Sequence, residues 1–185
     1  LCDLVCGGKT IVRSDESFLT HPHTAYTANG KAGYSTQFLE TFDSRAPEVN
    51  FYTPAFNDLN WEYARIKKHV DYVTVPQPSY SLVFEDIKPV HAKQEGDLLM
   101  LDFGKCYVGY LRITAVGKNG GTVTVRCGQE LEPDGSVRWK MRANCKYEET
   151  WILSGGRDTL DWFDYKAFRY AELILPDGCE VISAY

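Results

Sequence analysis

Tyr110-Leu-Arg-Ile-Thr-Ala-Val-Gly-Lys-Asn-Gly-Gly-Thr-Val-Thr-Val-Arg126 decides the fold class. Both flanks alternate apolar and polar residues with a period of two, the pattern of a strand with one buried face and one wet face. Between them Gly117-Lys-Asn-Gly-Gly121 offers several residues able to take a positive φ, so the pair reads as two strands joined by a hairpin loop. The same pattern continues downstream. Glu132-Pro-Asp-Gly135 is a tight reversal, with Pro and Gly where such a turn needs them. Tyr147-Glu-Glu-Thr-Trp-Ile-Leu153 is a strand closed by Ser154-Gly-Gly156. Phe168–Leu175 is the next, closed by Pro176-Asp-Gly178, and Glu180–Tyr185 is the last. Upstream, Asp97-Leu-Leu-Met-Leu-Asp102 is an apolar run of strand length, and Thr10–Arg13, Tyr34–Phe42 and Asn60–Ile66 read as strands. Residues 47–57 form an irregular loop bearing aromatics, and no segment makes an amphipathic helix of ordinary length. Short strands separated by regular turn signals predict an all-β, antiparallel sandwich. Val75-Pro-Gln-Pro78 reads as an extended linker, because two prolines interrupt strand pairing.

The chain has 185 residues, enough for one domain or two small β-domains packed together. With 44 % hydrophobic and 24 % charged residues, the composition is that of a globular protein. Twenty basic against 25 acidic residues give a net charge of -5, and no Lys/Arg block appears, so no nucleic-acid partner is expected. No apolar run approaches a membrane span, so no membrane partner is expected either. Leu1 is not a Met, which reads as a processed N-terminus or a chain cut from something longer. Of the six cysteines, none forms a CxxC pair, which argues against a zinc cluster. Cys106 and Cys127 fall in strand-like segments and read as free thiols, leaving the compartment open.

Motifs for nucleophilic, phosphate-binding or metalloprotease chemistry are missing: there is no GxSxG, Walker loop or HExxH. His21 and His23 flank Pro22 and read as a solvated pair rather than metal ligands. A glycosidase needs two carboxylates flanking one bond. Spacing alone pairs none of Asp15, Glu16, Asp43, Glu48, Asp58 and Glu62. Asp102-Phe-Gly104 sits at the end of an apolar strand, where Gly marks a bulge and Asp102 is expected to accept from a turn amide. In Phe168-Arg-Tyr170 the two rings are expected on one face, with Arg169 opposite and paired to a carboxylate of the neighbouring strand.

Three of these stretches carry a resemblance. Leu101-Asp-Phe-Gly-Lys-Cys-Tyr-Val-Gly109, Gly128-Gln-Glu-Leu-Glu-Pro-Asp-Gly135 and Tyr165-Lys-Ala-Phe-Arg-Tyr-Ala-Glu172 follow, in order, patterns of the type DFGQNxVG, AExLxxDG and YHGFRYVEV. They resemble the concanavalin-like β-domain of bacterial α-L-rhamnosidases, inverting glycoside hydrolases with an (α/α)6 catalytic barrel. In the first half, Ser14-Asp-Glu-Ser-Phe18, Glu40-Thr-Phe-Asp-Ser-Arg45 and Phe56-Asn-Asp-Leu-Asn-Trp61 resemble the end of the domain that precedes it. Lys105-Cys106 replace the usual Gln-Asn, and Lys166-Ala167 replace His-Gly. The resemblance implies a jelly-roll or concanavalin-like sandwich over 79–185 and the C-terminal part of an N-terminal β-sandwich over 1–75. It also implies a bacterial protein, with cytoplasmic and periplasmic or secreted locations both open. The general acid and base belong to the barrel, which the resemblance places outside these residues, so no catalytic residue is assigned here. The implied role is a non-catalytic section that supports the barrel of a parent glycosidase and touches rhamnose-containing glycans; the alternative is a free-standing, Ca²⁺-assisted rhamnose-binding module.

For either role the first place to look is Asp43, Arg45 and the loop to Trp61. Asp43 is a hard oxygen ligand suited to Ca²⁺, the one ion considered, with no other cofactor expected. Arg45 offers several hydrogen-bond donors to hydroxyls. Phe51, Tyr52 or Trp61 offers an aromatic face to a sugar ring. The structural alternative has Asp43 and Arg45 pairing with neighbouring strands and Trp61 filling a core.

Overall fold

A computed structural model describes residues 3–34, 37–66, 75, 78–80 and 82–185. The described chain is built from strands. In order they are β1 (Asp3–Cys6), β2 (Lys9–Arg13), β3 (Leu19–Thr20), β4 (Tyr26–Ala32), β5 (Gln37–Asp43), β6 (Glu62–Tyr63) and β7 (His91–Glu95). Then come β8 (Leu98–Gly109), β9 (Ile113–Val116), β10 (Thr122–Gly128), β11 (Glu148–Ile152), β12 (Arg157–Thr159), β13 (Lys166–Ile174) and β14 (Glu180–Ala184). A single 3-10 turn, Pro47–Asn50, is the only helical element among the described residues. The all-β expectation holds.

The chain forms two compact units that interleave in sequence: Leu1–His23 with Asn50–Phe84, and Thr24–Val49 with Glu85–Tyr185. The second unit is the sandwich. Its large sheet has the order β4-β5-β11-β10-β13-β8-β7, and a smaller one the order β12-β9-β14. Both contribute to one core, in which Phe42, Leu101, Val123, Val125, Trp151 and Leu173 of the large sheet meet Ile113 and Ala115 of β9. Every pairing in the large sheet is antiparallel except β5 with β11, which is parallel. Parallel neighbours need a long connection rather than a tight turn, and the chain between Asp43 and Glu148 supplies one.

Gly117–Gly121 is not a hairpin loop. Val116 ends a strand of the small sheet and Thr122 begins one of the large sheet, so the glycines carry the chain from one layer to the other. The alternation on both flanks is real, but it marks which residues face inward and not which strand lies alongside. Leu153, fully buried, clamps the crossing: its N–H donates to the Gly121 carbonyl (2.9 Å) and its carbonyl accepts from Gly120 (2.9 Å). A Cβ on Gly117 would lie 2.5 Å from Leu153 Cδ1.

The expected common face of Phe168 and Tyr170 is also corrected. Lys166 and Phe168 point into the core, and so do Ala171, Leu173 and Leu175, three positions of the opposite parity. The switch occurs at Arg169, where the register jumps from Phe168 opposite Tyr107 to Tyr170 opposite Asp102. Extra residues of β8, including Gly104 at φ 82°, bulge out opposite one residue of β13. Tyr170 therefore turns outward, and the Arg169 guanidinium lies 4.7 Å from its ring centroid.

Glu132–Gly135 reverses as predicted, with the Gly135 N–H donating to the Glu132 carbonyl (2.9 Å). The returning segment crosses β10 at Gly128, where a Cβ would meet Val137 Cγ1 at 2.7 Å and the Arg138 carbonyl oxygen at 2.8 Å. One of those atoms is backbone, so the segment has to move. Gly128→Ala is expected to cost roughly 1–3 kcal/mol in urea unfolding, as overpacking does; an unchanged midpoint would refute the close approach.

The first unit is of another kind. It holds two two-stranded ladders, β1-β2 and β3-β6, and none of its described residues is buried. The strand expected over Asn60–Ile66 reduces to Glu62–Tyr63, because Trp61 closes a turn by donating to the Asp58 carbonyl (2.9 Å). Of the predicted linker, Pro76 and Gln77 lie outside the described residues.

Candidate functional site

Asp43 ends β5, and Arg45 follows in the turn. Arg45 grips the carboxylate with its Nε (2.8 Å to Oδ1) and Nη2 (2.7 Å to Oδ2), and its backbone N–H adds a third bond at 2.9 Å. The Arg45 hydrogen bonds hold the Asp43 carboxyl below the ordinary carboxylate value. Both oxygens are thus engaged by a residue two positions away rather than by a neighbouring strand. A Ca²⁺ ion takes six to eight oxygens, and among the described residues no group of three or more His, Cys, Asp or Glu side chains gathers in one place. This geometry fits a closed ion pair better than a Ca²⁺ ligand.

Phe51, Tyr52 and Trp61 lie in the first unit and cluster there. Half-buried Trp61 is covered on one face by His21, with ring centroids 5.5 Å apart and planes at 19°. Phe56 meets it edge-on at 5.5 Å, and Phe51 lies 6.5 Å away. Phe51 in turn meets His23 and Tyr52 edge-on at 5.8 and 6.0 Å. Tyr52 keeps the most open ring of the three, 74 % exposed. Beside the cluster, Thr20, His21, Pro22, Asn60 and Glu62 line an open groove of about 520 Å³. The histidines expected as a solvated pair are therefore parts of an aromatic cluster, a role that single-residue reading did not reveal.

Sequence reasoning missed the most heavily buried charges. In β11, Glu149 shares the inward face with Trp151, and its Oε2 lies 2.7 Å from the Lys166 ammonium of β13. Both side chains are almost fully buried. Its other oxygen accepts from the Glu40 backbone N–H (3.2 Å). The Glu40 carboxylate accepts from the N–H groups of Phe163 and Asp164, both at 2.9 Å. Burial raises the Glu149 carboxyl above its ordinary value despite the ammonium beside it. Burial also pushes the neighbouring Cys127 thiol up to about 12, which leaves it protonated and inert. Chemically this is a buried ionic network, not an acid/base pair facing a cleft. The signal available in the sequence was a Glu two positions before a Trp in a period-two strand.

Asp102 behaves as expected. It accepts from the Gly104 N–H (2.7 Å) and takes a bidentate grip from Arg169 (2.8 and 2.9 Å). The Arg169 bonds hold its carboxyl below the usual range. Nearby on the same sheet, Arg126 bridges Glu148 (2.7 Å) and buried Glu172 (3.0 Å) beneath the Trp139 ring.

Residues 92–176 match the family described as the bacterial alpha-L-rhamnosidase concanavalin-like domain. The match is to that one domain, over just under half of the chain. Among curated proteins, an alpha-L-rhamnosidase of Streptomyces avermitilis is 28 % identical over 139 residues, covering 72 % of this chain and 14 % of its own length. Among solved structures, the alpha-L-rhamnosidase from Dictyoglumus thermophilum aligns with 92 % of this chain and 19 % of its own, at 25 % identity and a TM-score of 0.64. The Streptomyces avermitilis enzyme complexed with L-rhamnose aligns over 85 % and 16 %, at 25 % identity and 0.59. The Aspergillus terreus enzyme, at 20 % identity and 0.62, shares the fold. The chain thus spans less than a fifth of the first relatives it matches.

In the concanavalin-like domain the three motif stretches all hold structure. The first supplies Asp102 and the bulge at Gly104. The second supplies the glycine under the crossing segment and the turn beyond it. The third supplies Arg169 and Glu172, each tied to a partner on an adjacent strand, and Lys166, tied across β10 to Glu149 of β11.

Proposed function

We propose that this chain is a non-catalytic β-sandwich section of an α-L-rhamnosidase-type glycoside hydrolase, supporting the catalytic barrel of the parent enzyme. We assign residues 79–185 to its concanavalin-like domain and residues 1–75 to the end of the β-domain before it, with β4 and β5 of that earlier stretch contributing to the large sheet of the sandwich. The observation that carries this reading is the fate of four motif charges: Asp102, Lys166, Arg169 and Glu172 are tied to one another, to Glu149 or to Arg126 by ion pairs within the sandwich. Inverting hydrolysis needs one carboxylic acid and one carboxylate held apart across a bound sugar and a water, and charges spent on strand-to-strand ties cannot serve it. The purified chain should give no turnover of an aryl α-L-rhamnoside above buffer. Turnover that disappears on changing one carboxylate within the chain would overturn the reading.

The groove beside the His21–Trp61 stack favours a second reading, a carbohydrate-binding module. Its polar lining with an exposed Tyr52 nearby has the character of a sugar platform. Titration calorimetry with L-rhamnose, run with and without Ca²⁺, separates the two. The supporting-section reading expects no heat in either run. Binding heat lost in Trp61→Ala favours the module, and heat lost on Ca²⁺ removal and in Asp43→Asn would restore Asp43 as a ligand.

A further inference from the structure

Between Asp134 and Glu148 the sequence holds Arg138, Lys140, Arg142 and Lys146 and no acidic residue. Folding turns this stretch into a hairpin between β10 and β11. The Tyr147 N–H donates to the Trp139 carbonyl (3.0 Å), Lys140 pairs antiparallel with Lys146, and the Met141 N–H donates to the Cys145 carbonyl (2.8 Å). The turn is closed by the Cys145 N–H donating to the Arg142 carbonyl (3.1 Å), with Ala143 and Asn144 both at φ 59°. Its carbonyls are pinned from outside: Ala143 accepts from the Tyr34 N–H (3.3 Å) and Asn144 from the Gly33 N–H (3.1 Å). Burial alternates along the hairpin, with Trp139, Met141, Cys145 and Tyr147 half-buried and all four cations exposed.

Lys140 and Lys146 therefore stand opposite each other on the exposed face, an arrangement that costs stability when nothing negative lies between them. The acids nearest in sequence are already engaged: Arg138 takes Glu130 (2.8 Å) and Glu132 (3.7 Å), and Arg126 takes Glu148 (2.7 Å). Among the described residues no acidic side chain pairs with Lys140, Arg142 or Lys146. The Lys140 ammonium lies 4.4 Å from the Trp139 ring centroid, a contact that holds the head without neutralising it. We propose that Lys140, Arg142 and Lys146 bind the carboxylate or sulfate groups of an acidic glycan, an inference that rests on the glycosidase reading above. Charge selects this occupant. Without these three cations the chain is still more acidic than its net charge of -5, so a broad polyanion such as a nucleic-acid duplex is repelled around the hairpin. A single glycan strand with spaced anionic groups meets the three cations alone.

The test is affinity electrophoresis of the 185-residue chain through gels holding polygalacturonate, dextran sulfate or polyglutamate, with mobility in neutral dextran as the reference. Retardation is expected in polygalacturonate if the anion is a carboxylate and in dextran sulfate if it is a sulfate, and it should fade as NaCl is raised. The double variant Lys140→Gln/Lys146→Gln should bind about tenfold more weakly, the effect of losing two exposed charge contacts. Its melting temperature should not fall, because the repulsion of the opposed pair is relieved. The proposal is overturned if neither anionic glycan retards the chain, or if the double variant binds as tightly as wild type. Polyglutamate that retards the chain as strongly as either glycan also overturns it, giving the face to an acidic protein. If the parent enzyme shows no rhamnosidase activity, the glycosidase reading fails separately, while the gels still judge the hairpin.

Discussion

Lys166→Met should cost the sandwich about 3–5 kcal/mol, the usual penalty for removing one partner of a buried ion pair. The ammonium and the Glu149 carboxylate lie 2.7 Å apart with side chains only 5 % and 2 % exposed, so solvent screens little of the loss. The measurement is urea unfolding followed over a pH series. Glu149 binds its proton more tightly folded than unfolded, since burial raises its carboxyl above the ordinary carboxylate value. Its contribution is therefore fully present below that value and declines as pH rises through the raised one. Met in place of Lys166 removes the cation that opposes this shift and extends the decline to higher pH. The gap between wild type and Lys166→Met should thus be smallest in acid and widen towards neutrality. Adding Glu149→Leu should recover much of the stability, because a buried pair replaced by apolar groups is often close to neutral. Recovery will be incomplete, since the Glu40 N–H loses its acceptor. A pH-independent gap, or a double variant no better than the single one, would show that the pair is not a closed unit.

What was legible in the sequence follows from how local each signal is. The inward alternation of Thr122–Arg126 and the reversal at Glu132–Gly135 depend on residues a few positions apart, and both appear where expected. The Asp102–Arg169 pair was half legible: an arginine on an outward strand position needs a carboxylate, though only the register names it. Sheet membership was not legible, because Gly117–Gly121 suits a hairpin and a layer crossing equally. Nor was the face switch at Arg169, since a bulge depends on the length mismatch with β8 rather than on the β13 sequence. Of the candidate site, Asp43 and Arg45 proved to be each other's partners. In the sequence Phe51, Tyr52 and Trp61 are only alternative aromatic faces, and neither their clustering nor the cover of the Trp61 ring by His21 was legible. The interior charges escaped altogether, because a Glu or Lys in a period-two strand is read as facing water unless its partner is known.

Trp151→Ala should be about as damaging as Lys166→Met, but with a different signature. The ring is fully buried in the common core, and its Nε1–H donates to the Ser44 hydroxyl at 2.7 Å. Truncating a buried Trp costs about 3–5 kcal/mol through lost burial and the cavity left behind. The location of the loss carries more information than its size. Among the described residues, β4 and β5 pair with the rest of the large sheet through the parallel ladder of β5 with β11, which has three residue pairs, and Trp151 opposite Phe42 is the middle one. Removing the ring takes away a large apolar tie across that seam, together with the bond to Ser44 just beyond it, and leaves the Glu149–Glu40 hydrogen bond in place. Amide exchange in residues 26–43 should therefore accelerate well before exchange in β8, β10 and β13, which have long antiparallel ladders of their own. Trp151→Phe, which keeps most of the volume and loses the hydrogen bond, should cost only about 1–2 kcal/mol and leave the order of exchange closer to wild type. If Trp151→Ala accelerates exchange equally across the whole sheet, the seam is not the weak point and the β4-β5 ladder is held to the sandwich by other means.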